Sequence, residues 1–362
     1  MSTPDGVDRG WLDAAVRIAS PHLGTTAENP TVGALVVDPE TQVLLGRGVT
    51  APGGRPHAEP QALAQAGEGA HGATLYVTLE PCNHWGRTPP CVEAVLRTGI
   101  GRVVIGRVDP DPRTAGQSVR KMEAAGLEVA VLDHAPSRRL HEGFVSRVGR
   151  GRPFVSAKLA VSADGMVGRP FEANVPITGP IARRWTHMQR ATSDAILTGG
   201  STAIIDNPQL TVRLKGLEQR SPRRFVLAGA EPLSPELNLF DPSLGPQAEV
   251  IATPDRLLAE GIPVCRLGGR GRPDLGRVLE FLGENGIGRL LVEGGPTLTE
   301  AFLALGLVDR FYLLQSPQTI GSDGQPAIVH DSMENRLHAA GLAEVDRRSL
   351  GDDMVRTFER VI

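Results

Sequence analysis

The sequence predicts two consecutive α/β domains, residues 1–147 and 152–362, and three observations carry that expectation. Runs of β-branched and aliphatic residues alternate with segments of helical period, the pattern of sheets layered with helices. Several strand-like runs pass directly into turns rich in Gly, Ser and Thr. The alternation breaks at Val148-Gly-Arg-Gly-Arg-Pro153, a basic Gly/Pro stretch that reads as a solvated linker. A chain of 362 residues is long enough for two separate cores.

In the first domain, Trp11 to Ser20 has helical period, and Val32 to Val37 with Val43 to Gly48 reads as a hairpin. Ala73 to Leu79 and Arg102 to Val108 are further strands. Pro60 and the run Gln-Ala-Leu-Ala-Gln-Ala open a helix just after Glu59. Pro89-Pro90 precede a helix over Cys91 to Arg97, since proline is tolerated in a first helical turn.

The second domain opens on a strand that carries Lys158 and ends in Asp164-Gly165, a turn at the edge of a cleft. Only 3 of the 38 basic residues are lysines, which makes this one conspicuous. Ile181 to Thr192 is a helix. Asp194-Ala-Ile-Leu-Thr-Gly-Gly-Ser-Thr202 and Arg289-Leu-Leu-Val-Glu-Gly-Gly-Pro-Thr297 each read as a strand entering a glycine turn, the latter followed by a helix from Leu298 to Leu305. On adjacent parallel strands, such turns would present backbone N–H groups to phosphates. The residues alone therefore indicate a nucleotide-binding α/β domain, without the G-x-G-x-x-G fingerprint.

The chemistry concentrates in His57-Ala-Glu59 and Pro81-Cys82-Asn-His84-Trp-Gly-Arg87-Thr-Pro-Pro-Cys91. One imidazole and two thiolates make three zinc ligands, and a catalytic zinc keeps its fourth position for water. Glu59, two residues from His57, is near the metal without being a ligand and can move protons between water, ring nitrogen and departing amine. The set predicts hydrolytic deamination of a pyrimidine. Eight residues separate the cysteines, where nucleic-acid deaminases more often have Cys-x-x-Cys, so the substrate expected is a small phosphorylated pyrimidine.

Composition points the same way. A net charge of −3 and 4% aromatic residues leave no basic, aromatic face for nucleic acid. No apolar run reaches membrane length, and the polar start lacks the features of a signal peptide, so no membrane partner and a cytoplasmic location are expected. Three cysteines, two of them assigned to metal, make no disulfide framework. Cys265, in Ile262-Pro-Val-Cys-Arg-Leu267, reads as a buried strand residue.

Motifs in order along both halves resemble a known family. They are Asn29-Pro-Thr-Val-Gly33, Pro56-His-Ala-Glu59, Tyr76-Val-Thr-Leu-Glu-Pro-Cys82, Gly86-Arg-Thr-Pro-Pro-Cys91, Ala115-Gly116, Lys158-Leu-Ala160, Ser162-Ala-Asp-Gly165, Ile177-Thr-Gly179, Asp206-Asn-Pro-Gln-Leu-Thr-Val-Arg213 and Val292-Glu-Gly-Gly-Pro-Thr-Leu298. The chain is similar to the bifunctional riboflavin-pathway enzymes, a diaminohydroxyphosphoribosylaminopyrimidine deaminase fused to a 5-amino-6-(5-phosphoribosylamino)uracil reductase. The resemblance implies a cytidine-deaminase-like α/β/α domain, then a dihydrofolate-reductase-like α/β domain. It implies zinc on His57, Cys82 and Cys91, with Glu59 as proton shuttle. Asn29, His84, Arg87 and Asp109 would surround the base and ribose phosphate.

In the reductase half the resemblance implies NADPH against Ala160, Pro176, Thr202, Asp206 and the turn Gly295, Pro296, Thr297, Leu298, Thr299, Glu300 and Ala301. Asn174, Arg190, Leu210, Arg213 and Glu293 would face substrate, with Lys158 near the ribose carbon that is reduced. The pair Arg190 and Arg213 suits a sugar phosphate, each offering a planar fork of donors. A homo-oligomer is also implied. The chain departs from many relatives at Thr50, Asp111, Pro176 and Asn207. Pro176 cannot donate a backbone hydrogen bond to NADPH, and Asp111 could repel a phosphate. Pro176 and Asn207 leave as alternative an active deaminase whose reductase half is inactive and only binds ligand.

Overall fold

The computed structural model describes residues 4–361 except Phe171, Asn174, Val329 and His330. It divides into two compact units, Met1–Arg152 and Pro153–Ile362. Among the described residues no helix is long and apolar enough to cross a membrane.

The first unit holds a five-stranded sheet of order β2-β1-β3-β4-β5, made of β1 (Gly33–Val37), β2 (Leu44–Val49), β3 (Thr74–Val77), β4 (Arg102–Ile105) and β5 (Glu128–Val131). β1 is antiparallel to β2 and to β3, and β3, β4 and β5 are parallel. Alternation along β1 divides its side chains between two cores. Leu35 and Val37 pack with Leu12 and Ala15 of helix Pro4–Ala19, whereas Ala34 and Val36 pack with Ala58, Ala62 and Val92 of helices Ala58–Ala66 and Cys91–Arg97. The result is an α/β/α sandwich. Gly46 and Gly48 let helix Ala58–Ala66 lie directly on β2, for a Cβ at Gly48 would stand 2.0 Å from the Ala58 carbonyl oxygen. That close approach sets where His57 and Glu59 emerge.

The second unit has a nine-stranded sheet of order β10-β9-β8-β7-β11-β6-β12-β14-β13. Its strands are β6 (Phe154–Val161), β7 (Ala195–Gly199), β8 (Arg223–Leu227), β9 (Glu249–Ala252), β10 (Val264–Arg266), β11 (Arg289–Glu293), β12 (Arg310–Gln315), β13 (Leu342–Leu350) and β14 (Asp353–Arg360). From β10 to β12 every neighbour is parallel; β14 and β13 complete an antiparallel edge. The central strands are apolar on both faces because layers cover both, with Phe302 and Phe311 in one core and Leu239 and Phe240 in the other.

Two expectations need correction. Val148, Gly149 and Arg150 are not linker: helix Glu142–Arg150 runs through them and stops at Gly151, whose φ of 66° is the left-handed conformation that ends helices. Cys265 does lie on a strand, but it is half-buried rather than buried, because β10 is a three-residue sheet edge with one flank open. The helix expected from Trp11 also starts earlier, at Pro4.

Candidate active sites

In the first unit the site forms where two helices begin. His57 is the N-cap of helix Ala58–Ala66, Glu59 is in its first turn, and Cys91 is the first residue of its own helix after Pro90. Cys82 arrives on the segment that leaves β3. His57 Nδ1 stands 3.2 Å from Cys91 Sγ and 3.7 Å from Cys82 Sγ, and the three ligand atoms lie within 4.8 Å of one another. Nitrogen and sulfur ligands at about 2.0–2.3 Å from a tetrahedral ion are roughly 3.5–3.8 Å apart. The donor set is thus spaced for zinc.

Glu59 is outside that group of ligand atoms. It is 3% exposed, and its Oε2 is buried with no hydrogen-bond partner among the described residues. Burial, reinforced by the charge at Cys82, pushes its carboxyl up to about 7. Such a group can both accept and release a proton near neutral pH. Hydrogen bonds from Cys91 and His57 hold the Cys82 thiol well below its ordinary value against the opposing effect of burial. Cys91 is pushed up by its bond to Cys82 and by burial.

The residues expected around the base and phosphate have different local settings. Asn29 lies against Gly54, where a Cβ would stand 2.1 Å from Asn29 Nδ2, so the φ of 90° and the missing side chain at Gly54 both serve this approach. His84 Nδ1 is 3.4 Å from Thr114 Oγ1. Arg87 is exposed, and Asp109 is buried, with its carboxyl driven up to about 7 chiefly by burial. Asp111 does not present a bare charge to a phosphate, because Arg113 Nε holds its two oxygens at 3.0 and 3.1 Å. Thr50 closes the mouth of the β1–β2 pair, donating its N–H to the Val32 carbonyl and accepting the Val32 N–H on Oγ1, both at 3.0 Å.

Sequence reasoning gave Glu80 no role, and the structure gives it a large one. This carboxylate, 2% exposed, accepts backbone N–H groups from Asp109 (3.2 Å), Gly116 (2.9 Å), Ser118 (3.1 Å) and Val119 (3.4 Å). Ser118 Oγ donates to the Pro81 carbonyl at 2.6 Å, so the segment from Asp109 to Val119 is tied to the chain that delivers Cys82. The only signal was an acid between a strand and a ligand cysteine. Glu80→Gln turns an acceptor into a donor facing N–H groups, and each orphaned N–H costs about 1–3 kcal/mol. A fall of that size in urea-unfolding stability, with a raised deaminase KM, is the expected result; unchanged values for both would remove Glu80 from this role.

In the second unit a cavity of about 1070 Å³ opens at the carboxyl ends of the central strands. Lys158 and Ala160 of β6, Pro176, Thr202, Asp206, Leu210, Arg213, Glu293, Gly295 to Leu298 and Ala301 all line it, together with Arg190. The two glycine turns follow β7 and β11, which are adjacent and parallel, and Gly295 N–H donates to Thr202 Oγ1 at 3.1 Å. Thr299 and Glu300 do not face the cavity. Helical rotation turns Thr299 into the core at 2% exposure and gives Glu300 to Arg336 at 2.9 Å. Asn174 lies outside the described residues.

A largely buried ionic cluster lines this cavity. Arg190 holds Glu293 in a two-pronged bond, Nε to Oε1 at 2.7 Å and Nη2 to Oε2 at 2.9 Å, and its Nη1 donates to the Thr211 carbonyl at 3.0 Å. Lys158 is opposite Glu293 in the β6–β11 register. Burial lowers the Lys158 ammonium below its ordinary value, with Glu293 opposing. Burial raises Glu293, but the charge and hydrogen bonds of Arg190 outweigh it and hold the carboxyl below its usual range.

Asn207 shapes a turn. It ends helix Gly200–Asp206 at φ 40°, a conformation asparagine tolerates, and its Oδ1 accepts the Asn238 N–H at 2.7 Å. Aspartate can accept the same bond, so Asn207→Asp should leave the NADPH dissociation constant within about threefold, under 1 kcal/mol. A tenfold change in a fluorescence titration would place the side chain on the cofactor instead.

Comparison with known proteins assigns a class to each unit. Residues 7–107 match the cytidine and deoxycytidylate deaminase zinc-binding region, and residues 153–355 match the RibD C-terminal domain. The chain is 36% identical over 363 residues to the riboflavin biosynthesis protein RibD of Aquifex aeolicus, covering 98% of this chain and 99% of that protein. The solved structure of Acinetobacter baumannii RibD superimposes with a TM-score of 0.85 at 32% identity, over 98% of this chain and 99% of that one. A deaminase/reductase from Thermotoga maritima gives 0.84 at 29% identity, with the same coverage.

The molecule is a zinc deaminase domain joined to a pyrimidine reductase domain. The chain belongs to the RibD family of bifunctional deaminase/reductases of riboflavin biosynthesis, whose reductase domain uses NADPH.

Proposed function

We propose that this chain carries out two successive steps on one phosphorylated pyrimidine. The first is deamination of 2,5-diamino-6-ribosylamino-4(3H)-pyrimidinone 5′-phosphate; the second reduces the ribosyl group to ribityl. The observation that carries this reading is that one chain holds the groups for both reactions: three zinc donors beside a buried carboxylate with one unpartnered oxygen, and a large cavity lined by Lys158 and Glu293.

In the first step His57, Cys82 and Cys91 would hold zinc, which supplies a water activated for attack on the ring carbon. Glu59 takes a proton from that water, passes it to the ring nitrogen, and moves the next to the departing amine, which leaves as ammonia. Asn29, His84, Arg87 and Asp109 orient the base and the ribose phosphate.

In the second step NADPH, when bound, would supply hydride to C1′ of the ribosyl group. Ala160, Pro176, Thr202, Asp206, Gly295 to Leu298 and Ala301 bind the cofactor. Opening the ribose ring leaves an oxygen that needs a proton. Lys158, made a readier donor by burial, would give it, with the Glu293 carboxylate on the neighbouring strand attracting the ammonium. A cytoplasmic location and self-association belong to the same proposal, supported by three free cysteines and by the family resemblance.

The test is a pair of assays on one preparation, ammonia release from the diaminopyrimidine and NADPH oxidation with the deaminated product. Lys158→Ala should slow the second by about 10²–10⁴-fold, the usual worth of a positioned acid or base, and spare the first. Wild-type protein that releases ammonia yet never oxidises NADPH would make the second unit a ligand-binding domain only.

A further inference from the structure

The cavity of the second unit runs across the ends of several strands, and its charges are divided along that path. In the strand order β8-β7-β11-β6, Lys158 and Ala160 are on β6, and the two glycine turns follow β11 and β7. The cavity continues past β7 to residues 227–231, where β8 ends, and to residues 272–275, at the start of helix Leu275–Glu284. From β6 to β8 is three strand spacings, about 14 Å. Backbone meets backbone between the last two turns, for a Cβ at Gly200 would stand 2.9 Å from the Gly229 nitrogen. A dinucleotide with its nicotinamide beside Lys158 and its pyrophosphate on the glycine turns therefore has its adenosine ribose at the β8 end.

Two charged side chains at that end are uncommitted. Arg272 and Glu231 both line the cavity, both are exposed, and neither makes an ion pair or a side-chain hydrogen bond among the described residues. Asp274, a second acid there, spends Oδ1 on the Arg277 N–H at 2.9 Å as the cap of its helix. The segment that carries Arg272 is anchored. Gly271 donates its N–H to Asp255 Oδ2 at 3.0 Å, the Gly271 carbonyl accepts Thr253 Oγ1 at 2.8 Å, and the buried Pro273 follows. Thr253 comes directly after β9, the neighbour of β8, so Arg272 is fixed beside the β8 end.

The other arginines of the cavity are tied elsewhere. Helix Pro180–Ala191, which carries Arg183 and Arg190, packs through Ala182 and Trp185 on Tyr312, Leu314 and Val355 of β12 and β14, beyond β6. The Arg213 N–H donates to His187 Nδ1 of that helix at 3.3 Å, and Arg169 Nε pairs with Asp323 at 2.9 Å.

We infer that Arg272 binds the 2′-phosphate of NADPH and, opposed by Glu231, sets the preference for NADPH over NADH. The 2′ position of a dinucleotide is read by an acid where it bears a hydroxyl and by an arginine where it bears a phosphate. A guanidinium offers phosphate two parallel donors, and Arg272 breaks no existing pair to do so. The Glu231 carboxylate repels the same phosphate and accepts a hydrogen bond from the 2′-hydroxyl of NADH, so the two side chains act in opposite senses.

The inference rests on the cofactor placement of the reductase reading, and the experiment separates the two. Calorimetric titration of the full-length protein with NADPH, NADH, 2′,5′-ADP and 5′-AMP reads the 2′-phosphate without turnover. Wild type should prefer NADPH to NADH and 2′,5′-ADP to 5′-AMP. Arg272→Ala should weaken NADPH and 2′,5′-ADP about tenfold or more and leave NADH and 5′-AMP within about twofold, with Arg272→Lys recovering part of the loss. Glu231→Gln should tighten NADPH and weaken NADH. Rising salt should erode the wild-type preference, because the site faces water, and should do little in Arg272→Ala.

A wild type without preference, or Arg272→Ala that weakens all four ligands alike or none, overturns the inference and leaves the reductase reading intact. Wild-type protein with an Arg272-dependent preference for 2′,5′-ADP that never oxidises NADPH with the deaminated substrate supports the inference and overturns the reductase reading. Wild-type protein that binds none of the four overturns both.

Discussion

Glu59→Gln is expected to keep its zinc and lose deamination by about two to four orders of magnitude, the usual contribution of a positioned acid or base. The exchange is nearly isosteric, and the carboxylate is outside the metal-ligand group, so neither fold nor metal has reason to leave. What disappears is a buried carboxyl beside His57 and Cys82 whose Oε2 has no hydrogen-bond partner among the described residues. An amide cannot carry a proton from water to ring nitrogen. Elemental analysis alongside ammonia release decides the matter: near-normal turnover takes the proton-transfer role from Glu59, and loss of zinc makes it a ligand instead.

Cys82→Ser or Cys91→Ser should strip most of the metal and abolish deamination, while NADPH oxidation with pre-deaminated substrate continues. Purified wild type should carry about one zinc per chain, held by three protein donors. A hydroxyl replaces a thiolate poorly, since it stays protonated and is a harder, weaker donor. Serine at either position removes the ligand charge as well as the sulfur. Fresh wild-type protein without zinc would end the metal reading outright.

Much of the deaminase site was legible because its signals are local. Two prolines before Cys91 mark a helix start, and the helix spans Cys91–Arg97 as expected. The two glycine turns after Gly199 and Glu293 do lie on adjacent parallel strands, since each strand's apolar run and its turn are contiguous in the chain. β5 and the β13–β14 hairpin were not anticipated. β5 is only four residues in the short apolar run Val129 to Leu132, and β13 is an edge strand with a largely polar, exposed pattern that lacks the apolar run marking a strand.

The sequence by itself determined which chemical groups are on offer: a zinc donor set with a neighbouring carboxylate, a lysine on a strand and two glycine turns are each read from short motifs. Only the tertiary structure decided how those groups are held. Glu80 meets Gly116 across 36 residues and Arg190 meets Glu293 across 103, separations at which no local pattern reports a partner. The same packing turned Thr299 and Glu300 away from the cavity, because a helix can give only one face to a cleft. Motifs name donors and acceptors; burial and the pairing of distant charges decide which of them remain available to a ligand.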